Sequence, residues 1–374
     1  MWDIYSLIII IIGLYALIFS SLNILFMYRN TRKATIIDGP LISILIPARD
    51  EESSIGACLR SLSSQSYKNI EILVLDDHSS DSTWDIINSY ARKDVRIRAL
   101  KGASLPDGWN GKNYALQQLS ESAKGEYYLL TDADTEHSVD SVSFAYTNII
   151  YHDTDMISGY PRQTAPSFSN LAVVTAMHFN ILFINPLWIQ KKSKNPLFGL
   201  AIGQYIFIRS SCLHDIGGFY PIRDSITDDI HLARNLLSHG YHQIFLDLGT
   251  VVSCNMFDSF SAALKGITRS VIDFFDKKII LPLFAVPIII AFMIAPTFIL
   301  FYEFFFSGIL LIPVLLGVIL FLLAWMQTMV FLRYSLKTIL LFTPTMTLVV
   351  AMFLYGCFIT MTGKGYIWKN RVVK

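Results

Sequence analysis

A long apolar segment near the N-terminus constrains the fold more than any other feature of this sequence. Residues Ile4 to Met27 are almost entirely apolar, and about 20 apolar residues suffice for a helix to span a bilayer. A cleavable signal peptide has a shorter apolar core that follows a positive charge, whereas here Arg29, Arg32 and Lys33 come after the segment. We therefore predict an uncleaved transmembrane anchor over residues 1–33, with the next domain in the cytoplasm by the positive-inside rule.

Further apolar segments occupy the C-terminal third of the chain: Ile279–Tyr302, Phe306–Leu332 and Ile339–Met361. Only 16% of the 374 residues are charged, compared with about a quarter in soluble proteins. We predict a multi-pass protein of the cell membrane, with an interfacial segment and transmembrane helices within residues 261–374. Three full crossings would place the basic C-terminus outside, so a re-entrant or interfacial segment among the three is an open alternative.

Charge and cysteine usage exclude some classes of function. The formal net charge is +1, so the chain lacks the basic surface that nucleic-acid binding requires. No nucleic-acid partner is expected. The cysteines form no C-x-x-C pair, which argues against a zinc site or a disulfide framework and favours free buried thiols: they are Cys58, Cys212, Cys254 and Cys357.

The middle of the chain, residues 34–260, has the alternating pattern of an α/β domain. Continuous apolar runs at Leu41–Pro47, Ile70–Leu75 and Tyr127–Thr131 are typical of buried parallel strands. Segments with helical spacing separate them, and Val95–Leu100 adds a short strand. Alternating strands and helices predict a sheet with right-handed crossovers.

One apolar stretch inside this domain, Leu171 to Ile189, is long but contains His178, Asn180 and Pro186. A full crossing there would separate the acidic motifs on its two sides into different compartments. We therefore predict a helix at about residues 168–192 that lies on the membrane surface or dips into it. A buried core helix of the soluble domain is the alternative.

Acidic residues follow three of the predicted strands, where ligands bind in α/β sheets. Asp132 and Asp134 come directly after the Tyr127–Thr131 strand and can present oxygens to one hard divalent cation. Manganese and magnesium prefer such ligands and share them with substrate phosphates. The pair therefore predicts a metal site that neutralises a diphosphate leaving group.

Residues near the other strand ends are candidates for binding a nucleotide. Asp77 can accept the imide hydrogen of a uracil ring, and Glu51 can reach the ribose or base, although Glu51 is equally explained as a solvated acid in the first turn of a helix. Lys112 can offset phosphate charge, next to Gly111, while Asn110 also fits as an N-cap.

A second acidic pair, Asp228 and Asp229, opens a predicted helix. Acids at a helix start are ordinarily capping residues, but direct sugar transfer also needs a base to take the proton from the acceptor hydroxyl. We predict Asp229 as that base, with Asp228 as the alternative. Gly218 lies in a flexible turn suited to holding a sugar, and His231 is placed to line the acceptor side.

Taken together, these motifs resemble those of family-2 inverting glycosyltransferases in order and spacing. The matching stretches are Pro47-Ala48-Arg49-Asp50-Glu51-Glu52, Asp76 to Asp81, Gly111-Lys112, Asp132-Ala133-Asp134, Gly217-Gly218-Phe219 and Asp228-Asp229. The resemblance implies a GT-A fold, a Rossmann-like mixed sheet that binds a nucleotide-sugar, preferably a UDP-sugar. It also implies a divalent cation with Asp134 as direct ligand, and inversion by single displacement with Asp229 as base. Asp77 and Glu51 would bind the nucleoside. Other residues would contact the nucleotide-sugar: Pro47, Ala48, Lys112, Asp132 and Gly218.

Within the family, Trp109–Lys112 and Gly363–Arg371 resemble the branch of diaponeurosporenoate and hopanoid-associated glycosyltransferases. This implies transfer to a lipid or isoprenoid, carotenoid-like acceptor. The Q-x-x-R-W motif of processive members is reduced to Arg269, which argues against polymer synthesis. A polyprenyl-phosphate sugar synthase and a non-catalytic nucleotide-sugar-binding membrane protein are the alternatives.

Overall fold

A computed structural model describes residues 2–164, 167–257, 259–275, 278–307, 309, 311–362, 366–368 and 371–373. In this part of the chain, four helices are long and apolar enough to cross a membrane: Ile4–Asn30, Ile280–Phe306, Leu311–Phe331 and Leu336–Thr362. The predicted anchor and the predicted C-terminal segments are thus helical. Most of the Gly363–Arg371 stretch, on which the closer resemblance partly rests, lies outside the described residues.

The α/β domain is built on a central mixed sheet. The strands are β1 Ile42–Ala48, β2 Ile70–Asp76, β3 Ile97–Lys101, β4 Tyr127–Leu130, β5 Thr135–His137, β6 Met156–Tyr160, β7 Arg162–Gln163, β8 Ile206–Arg209, β9 Gln243–Asp247, β10 Val252–Cys254, β11 Tyr366–Trp368 and β12 Arg371–Val373. Seven of them form one sheet in the order β3-β2-β1-β4-β8-β6-β9. Only β8 runs antiparallel to its neighbours in it. Strands β5, β10 and β7 form a small second sheet, and β11 pairs with β12.

Helices cover the sheet, and the long apolar helices come before and after it in the chain. They are α1 Trp2–Asn30, α2 Ile55–Ser63, α3 Thr83–Ala91, α4 Gly111–Ser122, α5 Ser141–His152, α6 Phe168–Ile184, α7 Leu187–Gln190, α8 Ser210–Asp215, α9 Asp228–Ser238, α10 Phe260–Phe274, α11 Ile280–Ile289, α12 Ala295–Tyr302, α13 Leu311–Phe331 and α14 Phe342–Thr362. Short 3₁₀ helices span Pro196–Phe198, Tyr220–Ile222 and Leu336–Leu341, and π-helical turns span Ile290–Ile294 and Glu303–Ser307.

The core follows from the local patterns. Strand β1 is almost entirely apolar because helices cover both sides of the sheet. Its first five residues, Ile42 to Ile46, are all buried. Helix α2 buries Ile55, Cys58, Leu59 and Leu62, which lie on one face at helical spacing. All four cysteines are free and buried, as predicted.

Helix α6 lies between the α/β domain and the apolar helices. On one side, the Tyr160 hydroxyl donates to the His178 carbonyl (3.2 Å). On the other, the ring of Phe179 packs edge-on against Trp325 with centroids 5.1 Å apart, and the Thr345 hydroxyl donates to the Ala172 carbonyl (3.1 Å). A helix at the bilayer surface would occupy this position, and that assignment remains a prediction.

Candidate active site

The carboxyl ends of three adjacent parallel strands bring the predicted acidic residues together. Ala48 of β1 is in register with Asp76 of β2, and β4 pairs with β1 on its other side. Asp77 and Asp132 therefore leave the sheet at one edge, as the strand-end rule predicts. Because β8 is antiparallel to β4, the residues that lead into β8 reach the same edge.

A single cavity of about 1140 Å³ opens at this edge. Most of the predicted site residues line it: Pro47, Ala48, Glu51, Asp77, Lys112, Asp132, Asp134, Asp228, Asp229 and Arg269. Gly218 and His231 are not among the lining residues. Gly218 has φ of +60° in the turn beside Gln117, and the His231 Nδ1 faces the Thr227 carbonyl at 2.9 Å.

Lys112 connects the two acidic pairs. Its ammonium lies 2.8 Å from Asp132 Oδ1 and 3.6 Å from Asp228 Oδ2. Asn110 caps α4 by accepting from the Lys112 amide (3.1 Å), as predicted, and so fixes where the lysine leaves the helix. Burial would lower the pKa of Lys112, but the carboxylates of Asp132 and Asp228 outweigh it and the pKa is raised. The lysine therefore stays charged at the centre of the cluster.

Asp134 lies in an electrostatically unfavourable environment. Burial, followed by the carboxylates of Asp132 and Glu51, raises the pKa of Asp134 to about 7. Its Oδ1 is buried and accepts no hydrogen bond from the protein. A buried oxygen without a donor is costly unless a ligand or cation completes it. The Glu51 carboxylate, in turn, is oriented by the Ser54 hydroxyl at 2.8 Å.

These oxygens fit a divalent cation shared with phosphates. Among the described residues, no three His, Cys, Asp or Glu side chains are arranged to hold a metal ion by themselves. Magnesium usually takes one or two carboxylates and completes its shell with substrate phosphates and water. The Asp134 oxygen without a hydrogen bond and the nearby Asp132 carboxylate would supply the one or two carboxylates that such an ion needs.

Asp229 is held by the backbone on both oxygens. The Gly203 N–H donates to Oδ2 and the Ile230 N–H donates to Oδ1, each at 2.8 Å. Burial, followed by the neighbouring Asp228 carboxylate, raises the pKa of Asp229 to about 7. A carboxyl group with a fixed orientation and a pKa near neutrality is suited to accept a proton.

The loops after β1 and β2 are linked to each other at the polar end of the cavity. The Asp50 carboxylate accepts from the Ser80 N–H (2.7 Å), and the Arg49 guanidinium donates to the Asp77 carbonyl (2.6 Å). Arg49 also lies 3.7 Å from the Asp77 carboxylate. Asp50 has φ of +52°, a conformation that aspartate tolerates better than most residues. These links place the Asp77 side chain at the cavity wall.

The opposite end of the cavity is mostly apolar, although Asn180, Arg269 and Ser270 of the helices there also line the cavity. Its wall comes from α6, α10, α11 and α14: Ala176, Met177, Ile181, Ile184, Ile267, Val271, Phe274, Ala285, Ile288, Ile289, Val349, Met352 and Phe353. Single small-molecule sites usually enclose about 300–1,000 Å³, so this cavity has room beyond one polar ligand. The polar and apolar ends are continuous.

Sequence reasoning did not identify two residues that the structure brings to the site. Gly203 lies 26 positions before the carboxylate it binds, and no local pattern links them. Arg49 was part of a recognised motif without an assigned role. Its position directly after an apolar strand and before Asp50 and Glu51 was the available signal.

Comparison with known proteins agrees with this geometry. Residues 43–217 match the family described as Glycosyl transferase family 2. The chain is 37% identical to UDP-Glc:alpha-D-GlcNAc-diphosphoundecaprenol beta-1,3-glucosyltransferase WfaP of Escherichia coli, over 32% of this chain and 50% of that protein. It is 25% identical to the beta-monoglucosyldiacylglycerol synthase of Trichormus variabilis, over 53% of this chain and 41% of that protein. The matches thus span half or less of these relatives.

Among solved structures, the chain resembles mannosyltransferase PcManGT of Pyrobaculum calidifontis, determined with GDP-Man and Mn²⁺. The TM-score is 0.59 at 18% identity, and the match covers 96% of this chain and 99% of that one. The sheet order and the shared fold define a mixed α/β domain of the GT-A class, with apolar helices on both sides of it in the chain. The α/β domain belongs to glycosyl transferase family 2.

Proposed function

We propose that this protein is an inverting glycosyltransferase that moves a sugar from a nucleoside diphosphate to a hydroxyl of a lipid or isoprenoid acceptor. The reaction would take place at the cytoplasmic face of the membrane. One observation carries the proposal. A single cavity has Asp77, Asp134 and Asp229 at its polar end and residues of apolar helices at its other end.

The polar end is suited to a nucleotide-sugar donor, for which we favour a UDP-sugar. Asp77 and Glu51 are at the nucleoside end, and Lys112 can contact the diphosphate. A manganese or magnesium ion held by Asp134, with Asp132 beside it, would neutralise charge on the diphosphate when bound. The E. coli relative is named for UDP-Glc, which supports this choice of donor.

The protein's own residues account for the transfer step. Asp229 takes the proton from the acceptor hydroxyl, whose oxygen then bonds to the anomeric carbon as the bond to the diphosphate oxygen breaks. The Lys112 ammonium stabilises the negative charge that develops on the leaving nucleoside diphosphate. A single displacement of this kind inverts the anomeric carbon.

The apolar end is suited to the hydrocarbon part of an acceptor that reaches the site from the bilayer. One relative is named for an undecaprenol-linked sugar as acceptor, and another is named for its lipid product, monoglucosyldiacylglycerol. A phosphorylated acceptor needs cations at this end. Among the described residues of the helices at this end, Arg269 is the one cation that lines the cavity. A neutral hydroxyl therefore fits better than a polyprenyl phosphate.

The test of this proposal is Asp229→Asn in the full-length protein, reconstituted with membrane lipids and a panel of nucleotide-sugars. Removal of the base should lower the transfer rate by about 10²–10⁴-fold. Binding of the donor should persist, since Asp77 and Asp134 are unchanged. Mass spectrometry of the lipids identifies product, and calorimetry measures donor binding.

A matched control is Asp140→Asn, because Asp140 is exposed and its side chain caps no helix. This variant should transfer sugar at the wild-type rate. Wild-type turnover by Asp229→Asn would remove Asp229 as the base. Absence of any glycosylated lipid with the wild-type protein, across all donors, would remove the enzyme assignment.

Metal removal gives a separate prediction. Because Asp134 Oδ1 is buried without a partner, we expect a chelator to abolish transfer and manganese or magnesium to restore it. Donor affinity should fall together with activity, since a cation held by Asp134 would neutralise charge on the diphosphate. Full activity and unchanged donor affinity after exhaustive chelation would contradict the proposed metal role.

A further inference from the structure

The loop before the proposed base is bound by a carboxylate from another helix. Asp273, near the end of α10, is only 5% exposed. Its Oδ2 accepts from the Thr227 N–H (2.7 Å), the Thr227 hydroxyl (2.7 Å) and the Ile226 N–H (3.1 Å). Hydrogen bonds to an ionised acceptor are stronger than neutral ones, and these converge on one oxygen. Asp228 and Asp229 follow Thr227 directly.

The start of α9 depends on this contact more than on its own cap. Thr227 occupies the N-cap position, but its side chain makes no capping hydrogen bond to α9 and is directed to Asp273 instead. A second link lies further along α9, where the Arg234 guanidinium donates to the Phe274 carbonyl (3.2 Å) and stacks on the Phe274 ring (5.2 Å). Helix α10 therefore determines where α9 begins.

Helix α10 also forms part of the cavity wall. Ile267, Arg269, Val271 and Phe274 line the cavity, whereas Asp273 does not. Asp273 therefore has no contact with a ligand in that cavity and can act only through the residues it holds. One helix thus borders the apolar end and fixes the loop that carries the two carboxylates.

We propose that Asp273 is a positioning residue that sets the location of the Asp229 carboxylate in the cavity. The inference rests on the proposed role of Asp229 as base. Without the Asp273 carboxylate, the Thr227 and Ile226 N–H groups lose their acceptor and the loop is free to shift. A displacement of about 1 Å at a reacting group can cost on the order of 100-fold in rate.

The experiment compares Asp273→Ala and Asp273→Asn with wild type, full-length and in lipid nanodiscs. We expect kcat to fall about 100-fold for Asp273→Ala and less for Asp273→Asn, whose amide oxygen still accepts. The KM for the donor should stay within about twofold of wild type, because the donor end of the cavity is untouched. Hydrogen exchange followed by mass spectrometry should show faster exchange in the peptide that contains Ile226 to Ile230.

Asp247 provides a matched control. It also links the α/β domain to the membrane part, through Arg333 at 2.7 and 2.9 Å, and it does not line the cavity. Asp247→Ala should lower the thermal midpoint while kcat and exchange at Ile226 to Ile230 remain as in wild type. An equal loss of kcat in Asp247→Ala and Asp273→Ala would overturn the proposal, because both would then act through general stability.

The exchange measurement separates this inference from the proposed function. If the wild-type protein transfers no sugar, the function fails, while faster exchange at Ile226 to Ile230 in Asp273→Ala still supports the structural part of the proposal. Unchanged exchange in that peptide, or unchanged kcat in an active protein, would overturn the positioning role.

Discussion

Asp229 occupies a site that disfavours its own charge. Burial and the neighbouring Asp228 raise its pKa to about 7, and Lys112 opposes that shift. Two backbone N–H groups hold its orientation, so the carboxyl group cannot turn to find better solvation. A base with a pKa near the working pH combines a useful ionised fraction with a real tendency to take a proton.

This environment predicts the dependence of transfer on pH. The base must be ionised, so kcat/KM should rise with pH through about 7, with the metal saturating. Lys112→Met removes a cation that lowers the pKa of Asp229, and the rising limb should move to higher pH. A rate profile from pH 5 to 9 measures this. If kcat/KM rose near pH 4 instead, the base would be a solvated carboxylate with an ordinary pKa.

The same group makes stability depend on pH in the opposite sense. The pKa of Asp229 in the folded state, about 7, lies above the value of about 3.9 expected in the unfolded chain. Its contribution to stability is therefore complete below about pH 4 and is lost as pH rises through 7. Asp229→Asn removes this dependence.

The thermal midpoint of Asp229→Asn minus that of wild type should thus be more positive at pH 8 than at pH 5. The variant also places an amide N–H against the Gly203 or Ile230 N–H, which costs about 1–3 kcal/mol at both pH values and cancels in the comparison. Calorimetry at the two pH values tests this. A constant difference in midpoint would exclude the raised pKa.

The break between α6 and α7 shows how one element is fixed by another. Asn23 of α1 is fully buried. Its amide donates to the carbonyls of Leu182 and Asn185 at 2.8 Å each, and its oxygen accepts from the Leu187 N–H at 2.9 Å. Helix ends leave backbone groups without hydrogen-bond partners. Here Asn23 of the anchor helix α1 supplies those partners.

We expect Asn23→Leu to destabilise the protein by about 1–3 kcal/mol, because buried backbone groups lose their partners. The measurement is thermal unfolding in detergent. Leu22→Ala on the same helix is the control, since Leu22 is 45% exposed and should change little. Equal midpoints for the two variants would show that water or detergent replaces the lost hydrogen bonds.

The orientation of the whole molecule is open to a direct test. Val95 is 97% exposed on the α/β domain, and the native cysteines are all buried. If the domain faces the cytoplasm, as the basic residues after α1 predict, Val95→Cys should react with a membrane-impermeant maleimide only after the cells are permeabilised. Labelling of intact cells would reverse the proposed topology.

Local sequence was sufficient to predict strands β1 to β4, the long apolar helices and most of the site residues that the structure places along the cavity. The apolar runs of β1, β2 and β4, the spacing of α2 and the Asn110 cap all depend on neighbours a few positions apart. The acidic residues could be placed together because the carboxyl ends of adjacent parallel strands must share an edge. The long apolar helices follow from length and composition alone.

Contacts between distant positions could not be read from the sequence. The bond from Gly203 to Asp229 joins residues 26 positions apart, and the bonds from Thr227 to Asp273 join residues 46 positions apart. Each exists because an antiparallel strand or a packed helix brings the partners together, and that packing is decided by many side chains at once. The sequence by itself determined which groups could do chemistry, and tertiary packing alone decided their orientation and which helix holds them.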